Sequence, residues 1–234
     1  TDVAGVKIGH VTLDYPLDNG DYACTGVTAI LPHGGNLFRE KVIGAGFVVN
    51  GFGKTAGLVQ VEELGVIESP IMLTNTLSVP EVSAGAMEYM LGCTEEIVMD
   101  TGTITIITGE CNDMKLNSIR RRQVTKEHAM EAIKTASSDL CPEGAVGAGK
   151  GMVCFGYKGG IGCASRLIPY GDKSYTLGVL VLSNFGKKEE FMYAKYPLEK
   201  SGLPHAVNAP DGPIMLIMAT VAPLTDSQLK RFQN

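Results

Sequence analysis

Asp211-Gly212-Pro213-Ile214-Met215-Leu216-Ile217-Met218-Ala219-Thr220 is a polar turn that gives way abruptly to a continuous apolar run. That pattern predicts a buried strand over 214–220. A Gly-X bond at the mouth of such a strand is where a self-cleaving hydrolase exposes a new N-terminal nucleophile. Here X is Pro213, whose ring carries neither a hydroxyl nor a thiol.

The strand reading extends along the chain. β-Branched content and turn boundaries predict further strands over 4–10, 26–31, 42–50, 70–75, 103–108 and 175–182. Helices are expected over 79–91, opened by Ser78 and Pro80, and over 125–137, with Thr125 as N-cap. A last helix starts at Asp226 and runs to Phe232. Strand-rich ends with helices between them predict layered α and β structure, read as one domain over 1–234.

Composition narrows the function classes. A chain of 234 residues can build a sizeable core, and 44% hydrophobic with 19% charged residues excludes disorder. Twenty-nine glycines and no tryptophan point to tight turns and close backbone approaches. A net charge of -5 gives no electrostatic reason to bind nucleic acid. Arg120-Arg121-Arg122 is too short to change that and reads as a solvated turn or helix start. No apolar run is long enough to span a bilayer, so no membrane partner is expected. The chain opens at Thr1 without Met or a signal peptide, so its start is expected to be trimmed.

Cys24, Cys93, Cys111, Cys141, Cys154 and Cys163 are scattered, with no C-x-x-C pair and no histidine at ligand spacing. This predicts reduced thiols in a cytoplasmic protein rather than a metal cluster or a disulfide framework. Cys111 stands out because it sits in a polar motif. Gly147, Gly149, Gly159, Gly160 and Gly162 have the density of a phosphate loop. However, Gly147-Ala148-Gly149-Lys150-Gly151 lacks the Walker spacing and the Ser or Thr after lysine.

Eight motifs follow one another in order. They are Asn50-Gly51-Phe52-Gly53-Lys54-Thr55-Ala56-Gly57, Gln60-Val61-Glu62-Glu63-Leu64-Gly65, Ile71-Met72-Leu73-Thr74-Asn75-Thr76-Leu77-Ser78-Val79 and Thr108-Gly109-Glu110-Cys111-Asn112-Asp113. Then come Gly144-Ala145-Val146-Gly147-Ala148-Gly149-Lys150-Gly151-Met152, Lys158-Gly159-Gly160-Ile161-Gly162-Cys163-Ala164-Ser165-Arg166, Leu177-Gly178-Val179-Leu180-Val181-Leu182-Ser183-Asn184-Phe185-Gly186 and Ala219-Thr220-Val221-Ala222-Pro223-Leu224. Together, from about Val6 to the end, they closely resemble the DmpA-type aminopeptidases, the family of the β-peptidyl aminopeptidases.

The resemblance implies an α/β layered fold, an αββα sandwich of the DmpA/ornithine acetyltransferase type. It implies an N-terminal-nucleophile-like hydrolase with no metal or organic cofactor, acting on a small peptide or amide and assembled as a homo-oligomer. Precursors of that family cut themselves at a Gly-Ser or Asn-Thr bond, and the freed hydroxyl attacks the substrate carbonyl. A free α-amine, with a pKa near ~8, or a neighbouring group takes the proton, and an amide donor stabilises the oxyanion.

By resemblance, Asn184 is that amide donor; on its own residues it would cap a turn before Gly186. Glu110 is the carboxylate that holds the substrate's free amine; alone it reads as a solvated turn carboxylate. Asn112 stands where some relatives carry a catalytic aromatic residue and joins the substrate-binding set. Asn75 and Thr76 match a polar loop near the cleft, or are plain turn residues. Lys158 would tune protons in the pocket, or be a structural lysine with a buried stem. Residues 1–212 match the large subunit and 213–234 the start of the small one.

Two departures stand beside these matches. The nucleophile position is Pro213, and the Asp that usually follows Ala-Thr is Val221. The chain also stops at Asn234, before a further Ser-Gly-Glu motif of the family. The sequence is then an incomplete copy of a longer protein, a relative that has lost catalysis, or a chain in which Pro213 is an engineered or erroneous substitution. Other nucleophiles fit less well. Thr220 lies inside the strand, and a break after Asn234 conflicts with the strand register. Cys111 has no nearby histidine in sequence, although His10, His33, His128 or His205 could approach in space.

The expected function is an aminopeptidase or amidase releasing N-terminal residues, D- or β-amino acids included, from small peptides and amides. The alternatives are a non-catalytic binder of amines or small peptides, and an ornithine acetyltransferase-like acyltransferase.

Overall fold

A computed structural model describes residues 1–49, 51–191 and 212–232. In chain order the strands are β1 (Lys7–Pro16), β2 (Tyr22–Leu31), β3 (Val42–Ile43), β4 (Val66–Ile67), β5 (Ile71–Asn75), β6 (Ile107–Cys111), β7 (Val153–Cys154), β8 (Tyr157–Lys158), β9 (Gly160–Tyr170), β10 (Lys173–Ser183) and β11 (Ile214–Thr220). The helices are α1 (Leu58–Leu64), α2 (Val79–Cys93), α3 (Lys126–Lys134) and α4 (Asp226–Phe232).

Two main sheets form. The first has the order β1-β2-β5-β6, antiparallel except for the parallel pair β5 and β6. The crossover between those two strands contains α2, as a parallel connection requires. The second sheet has the order β11-β10-β9 and is antiparallel throughout. Side chains of a strand alternate between faces, so each strand of the first sheet feeds two cores. Met72, Val27 and Ala29 pack with Val82, Ala86 and Met90 of α2 and with Ala129, Ala132 and Ile133 of α3. Ile30, Leu73 and Cys111 pack instead with Ile161, Leu180 and Leu182 of the second sheet, with Met215 and Ile217 against them. The layers are therefore helix, sheet, sheet, which bears out the layered α/β expectation.

Helix α3 is set by its first turn. Thr125 and His128 form a reciprocal capping box, with the Thr125 N–H donating to His128 Nδ1 at 3.1 Å. Strand β11 and helix α4 occupy the residues their sequence predicts.

Elsewhere the expectations are corrected. The run 42–50 pairs only at Val42–Ile43, against β4, and Asn50 lies outside the described residues. The chain leaves the ladder at Gly44, where a Cβ would meet the Ile67 side chain at 2.6 Å. The strand expected over 103–108 lies at Ile107–Cys111. Ile104 and Ile106 are buried as expected, but the Thr105 N–H goes to the Glu68 carboxylate rather than to a neighbouring strand. The motifs at 60–65 and 158–166, which carry no predicted element, lie mainly on α1 and β9. Arg120 to Arg122 form a turn, with Arg121 paired to Asp18 and Asp21 and Arg122 to Glu81.

Candidate active site

Antiparallel pairing of β10 with β11 sets Ser183 opposite Ile214. The end of one strand, Asn184, is thereby brought to the mouth of the other, Gly212-Pro213. The approach is so close that a Cβ at Gly212 would collide with the Asn184 carbonyl oxygen, so only glycine fits. The third strand end is that of β6. Cys111 Sγ donates to the Pro213 carbonyl at 3.4 Å. Asn184 is buried, and its Nδ2 donates to the Asn112 carbonyl at 2.9 Å while its Oδ1 accepts from the Val153 N–H at 3.0 Å.

The Val153–Lys158 hairpin carries the fourth group. Lys158 is exposed as a residue, but its ammonium is enclosed. Nζ donates to the carbonyls of Gly149 and Met152 at 3.1 Å and of Gly159 at 3.0 Å. Burial holds this ammonium below its ordinary pKa. The glycines around it belong to backbone packing rather than to a phosphate loop. A Cβ on Gly149 would lie 2.6 Å from the Ile161 nitrogen, and one on Gly159 would collide with Ser183 O. Lys150, which a phosphate loop would aim at its ligand, is paired with Asp14 at 2.6 Å.

Glu110 is not a solvated turn residue. It is buried in β6. Oε1 accepts from the Lys54 N–H at 2.8 Å and Oε2 from the Thr76 hydroxyl. Both donors are neutral, so neither is a cation that would compete with an ammonium for this side chain. Alternation along β6 puts Glu110 on the helical face and Cys111 on the inter-sheet face. Glu110 and Thr76 therefore form one cluster, and Asn184, the Asn112 carbonyl and Gly212-Pro213 another, while the Asn112 side chain accepts from the Met114 N–H at 3.0 Å and Lys158 Nζ is held by backbone carbonyls.

Asn75 belongs to neither cluster as a free group. Its Oδ1 accepts from the N–H groups of Leu77 and Ser78 at 3.1 Å, and its Nδ2 donates to Thr25 at 2.8 Å. It caps the turn into α2. Thr220 is similarly engaged, donating to Thr176 O at 2.8 Å within the sheet.

Cys111 fails as a nucleophile. Burial first, then the Glu110 charge, push its thiol far up from the ordinary value. Among the described histidines, His10 meets Cys141, His33 meets Glu40 and His128 caps α3. His205 lies outside the described residues.

Two features escaped the sequence reading. Asp113 is fully buried beside Thr25 and Asn75, with Oδ1 on Asn117 at 2.9 Å and Oδ2 without a hydrogen-bond partner. Burial pushes its carboxyl up to about 6. The motif containing it pointed there, but only packing made it buried. The second is a pair of cysteines, Cys141 and Cys163, whose sulfurs lie 3.3 Å apart.

A Gly-X bond held against a buried amide at the junction of two packed sheets is the frame of an N-terminal-nucleophile hydrolase. The chain belongs to peptidase family S58, whose family model matches residues 1–234. It is 39% identical to the β-peptidyl aminopeptidase BapA of Sphingosinicella microcystinivorans over 251 aligned residues, covering 99% of this chain and 62% of that protein. Among solved structures it is similar to a Pyrococcus horikoshii protein, with TM-score 0.90 and 50% identity over 98% of this chain and 65% of that one. It is also similar to the L-aminopeptidase D-Ala-esterase/amidase of Ochrobactrum anthropi, a serine aminopeptidase described as a new variant of the Ntn hydrolase fold. That likeness has TM-score 0.86 and 30% identity over 98% of this chain and 64% of that one. The chain thus spans less than two thirds of the length of these relatives.

Proposed function

We propose that this chain is the part of an aminopeptidase or amidase that frames the nucleophile position, in an enzyme that releases N-terminal residues, D- or β-amino acids included, from small peptides and amides. The observation that carries this reading is the placement of Gly212-Pro213 against Asn184 and the end of β6. In the proposed mechanism Glu110 pairs with the substrate's free ammonium, and Thr76 holds that carboxylate in place. Asn184 Nδ2, which now donates to Asn112 O, turns to the oxyanion of the tetrahedral intermediate. Lys158, its ammonium half-desolvated, biases proton transfer at the same strand end.

The hydroxyl is the missing part. Pro213 cannot attack a carbonyl, so the activity is expected of the chain with a hydroxyl at that position. Full-length Pro213→Ser is expected to appear as two chains by intact mass under denaturing conditions, divided as 1–212 and a part beginning at residue 213. It is also expected to hydrolyse amino-acid anilides. A single uncut chain that leaves the anilides intact would sink the reading.

Pro213 itself favours a second reading, a non-catalytic binder that keeps Glu110 and Asn184 for amines or small peptides. Calorimetric titration of the Pro213 chain with a β-alanyl amide separates this from simple loss of the site. Two finer points belong to the proposal. The six free thiols support a reducing, cytoplasmic setting. The exposed apolar side chains Leu167, Ile168 and Tyr170 of β9 support a homo-oligomer, which light scattering tests. Among the described residues no helix is long and apolar enough to cross a membrane.

A further inference from the structure

Cys141 and Cys163 are separated by 22 residues, yet the fold sets their sulfurs 3.3 Å apart, with the Cys163 thiol donating to Cys141. The geometry follows from the backbone. Gly144 and Ile161 exchange both of their N–H···O bonds, at 2.7 and 2.9 Å, which lays the segment before Gly147 along β9. Cys163 N–H donates to Glu143 Oε1 at 2.6 Å and tightens the same contact. Both cysteines are half-buried.

A third group addresses the pair. His10 Nε2 lies 3.8 Å from Cys141 Sγ, and its Nδ1 lies 2.9 Å from the buried Thr28 hydroxyl. That hydroxyl is fully buried and accepts from the Ala148 N–H at 3.1 Å, and Nδ1 is the acceptor it meets for its own proton. The ring then carries its proton on Nε2, facing the Cys141 sulfur.

We propose that Cys141 and Cys163, with His10, form a thiol–disulfide site oxidised by hydrogen peroxide. Cys141 as thiolate attacks one oxygen of the peroxide. The O–O bond breaks, a sulfenic acid forms, and the departing hydroxide takes up a proton as water. The Cys163 sulfur then attacks the sulfenic sulfur, an S–S bond replaces the S–O bond, and the second hydroxide leaves with the Cys163 proton as water. Two thiols lose two electrons and two hydrogens, and one peroxide becomes two waters. The division of labour has electrostatic support. The hydrogen bond from Cys163, then His10, hold the Cys141 thiol well below its ordinary value, while the same bond and burial push Cys163 up. Cys141 is the attacking thiolate and Cys163 the resolving thiol.

The bridge would tie the 138–146 segment to β9. That segment already holds the Thr1 amine, through Ser138 O and through Asp139 O at 2.7 Å. It leads into Gly147–Gly149, whose last carbonyl receives Lys158.

The test uses the full chain and hydrogen peroxide. Limited oxidation is expected to lower the intact mass by about 2 Da, the two hydrogens lost on disulfide formation. Peptide mapping is expected to show a Cys141–Cys163 link, reversed by dithiothreitol. Without oxidant, iodoacetamide is expected to label Cys141 at least roughly tenfold faster than the exposed Cys93 at neutral pH. In Cys163→Ser the sulfenic acid should persist and be trapped at Cys141 by dimedone, and His10→Gln should slow labelling of Cys141. Labelling of Cys141 no faster than Cys93, or oxidation that joins other cysteines or none, overturns the proposal. The labelling comparison needs no variant, so a misfolded mutant does not obscure the result.

Discussion

β2 and β11 are both rich in apolar and β-branched residues in sequence, and the fold treats them differently. Along β2 every residue from Ala23 to Leu31 is buried, because helices cover one face of its sheet and the second sheet covers the other. Along β11 exposure alternates. Met215 and Ile217 pack inward, while Leu216 is 51% and Met218 40% exposed. A central strand of a three-layer region and an outer-sheet strand thus share one hydrophobic signature. The difference lies in the number of covered faces, and the candidate active site sits where the two kinds of strand meet.

Four substitutions probe that contrast. The largest effect is expected in β2. Ile30→Ala removes a side chain wedged between the sheets and should cost about 2–5 kcal/mol in urea unfolding. A loss below 1 kcal/mol would mean the inter-sheet core is looser than its burial indicates.

Next is the buried carboxyl beside β2. Asp113 titrates near 6 when folded and, as an ordinary carboxylate, near ~3.9 when unfolded. Between these values the folded state holds a proton that the unfolded chain has released. The contribution of Asp113 to stability is therefore fullest below about pH 4 and is lost as pH rises through 6, by about 3 kcal/mol. Asp113→Asn should flatten that part of the stability–pH profile, and an unchanged slope would remove Asp113 as its source.

The helix layer that covers β2 depends on the cap of α3. Thr125→Ala should cost about 1 kcal/mol, read from the thermal midpoint or from denaturant. The smallest effect is expected on the outer face of β11, where Leu216→Ala should change stability by less than about 0.5 kcal/mol. A loss above 1 kcal/mol there would show that the face is covered in solution, and the contrast with β2 would disappear.

The contrast also marks how far the sequence could be read. β11, α2 and the Thr125 cap were legible because turn residues, periodicity and capping chemistry are local. The sequence offered the candidate site as a series of motifs, and the structure sets Asn184 beside the Gly212-Pro213 bond. Cys111, singled out by its polar neighbours, proved to be an inert buried thiol. Asn75 proved to be a cap and Glu110 a buried strand residue. The start of β6 was misplaced because Ile104 and Ile106 have strand-like side chains, while the Thr105 N–H bonds to Glu68 instead of a strand.

By itself the sequence determined the type of the main elements such as β11, α2 and α3, the layered class, the family and the absence of a hydroxyl at position 213. These depend on residue identity and on neighbours a few positions away. Only the tertiary structure decided which faces of equally apolar strands are covered, that Glu110 and Cys111 point to opposite sides of one strand, and that Cys141 meets Cys163 and His10. Burial and pairing are set by which distant segments come to lie alongside, and that information is not carried by the local pattern of any one segment.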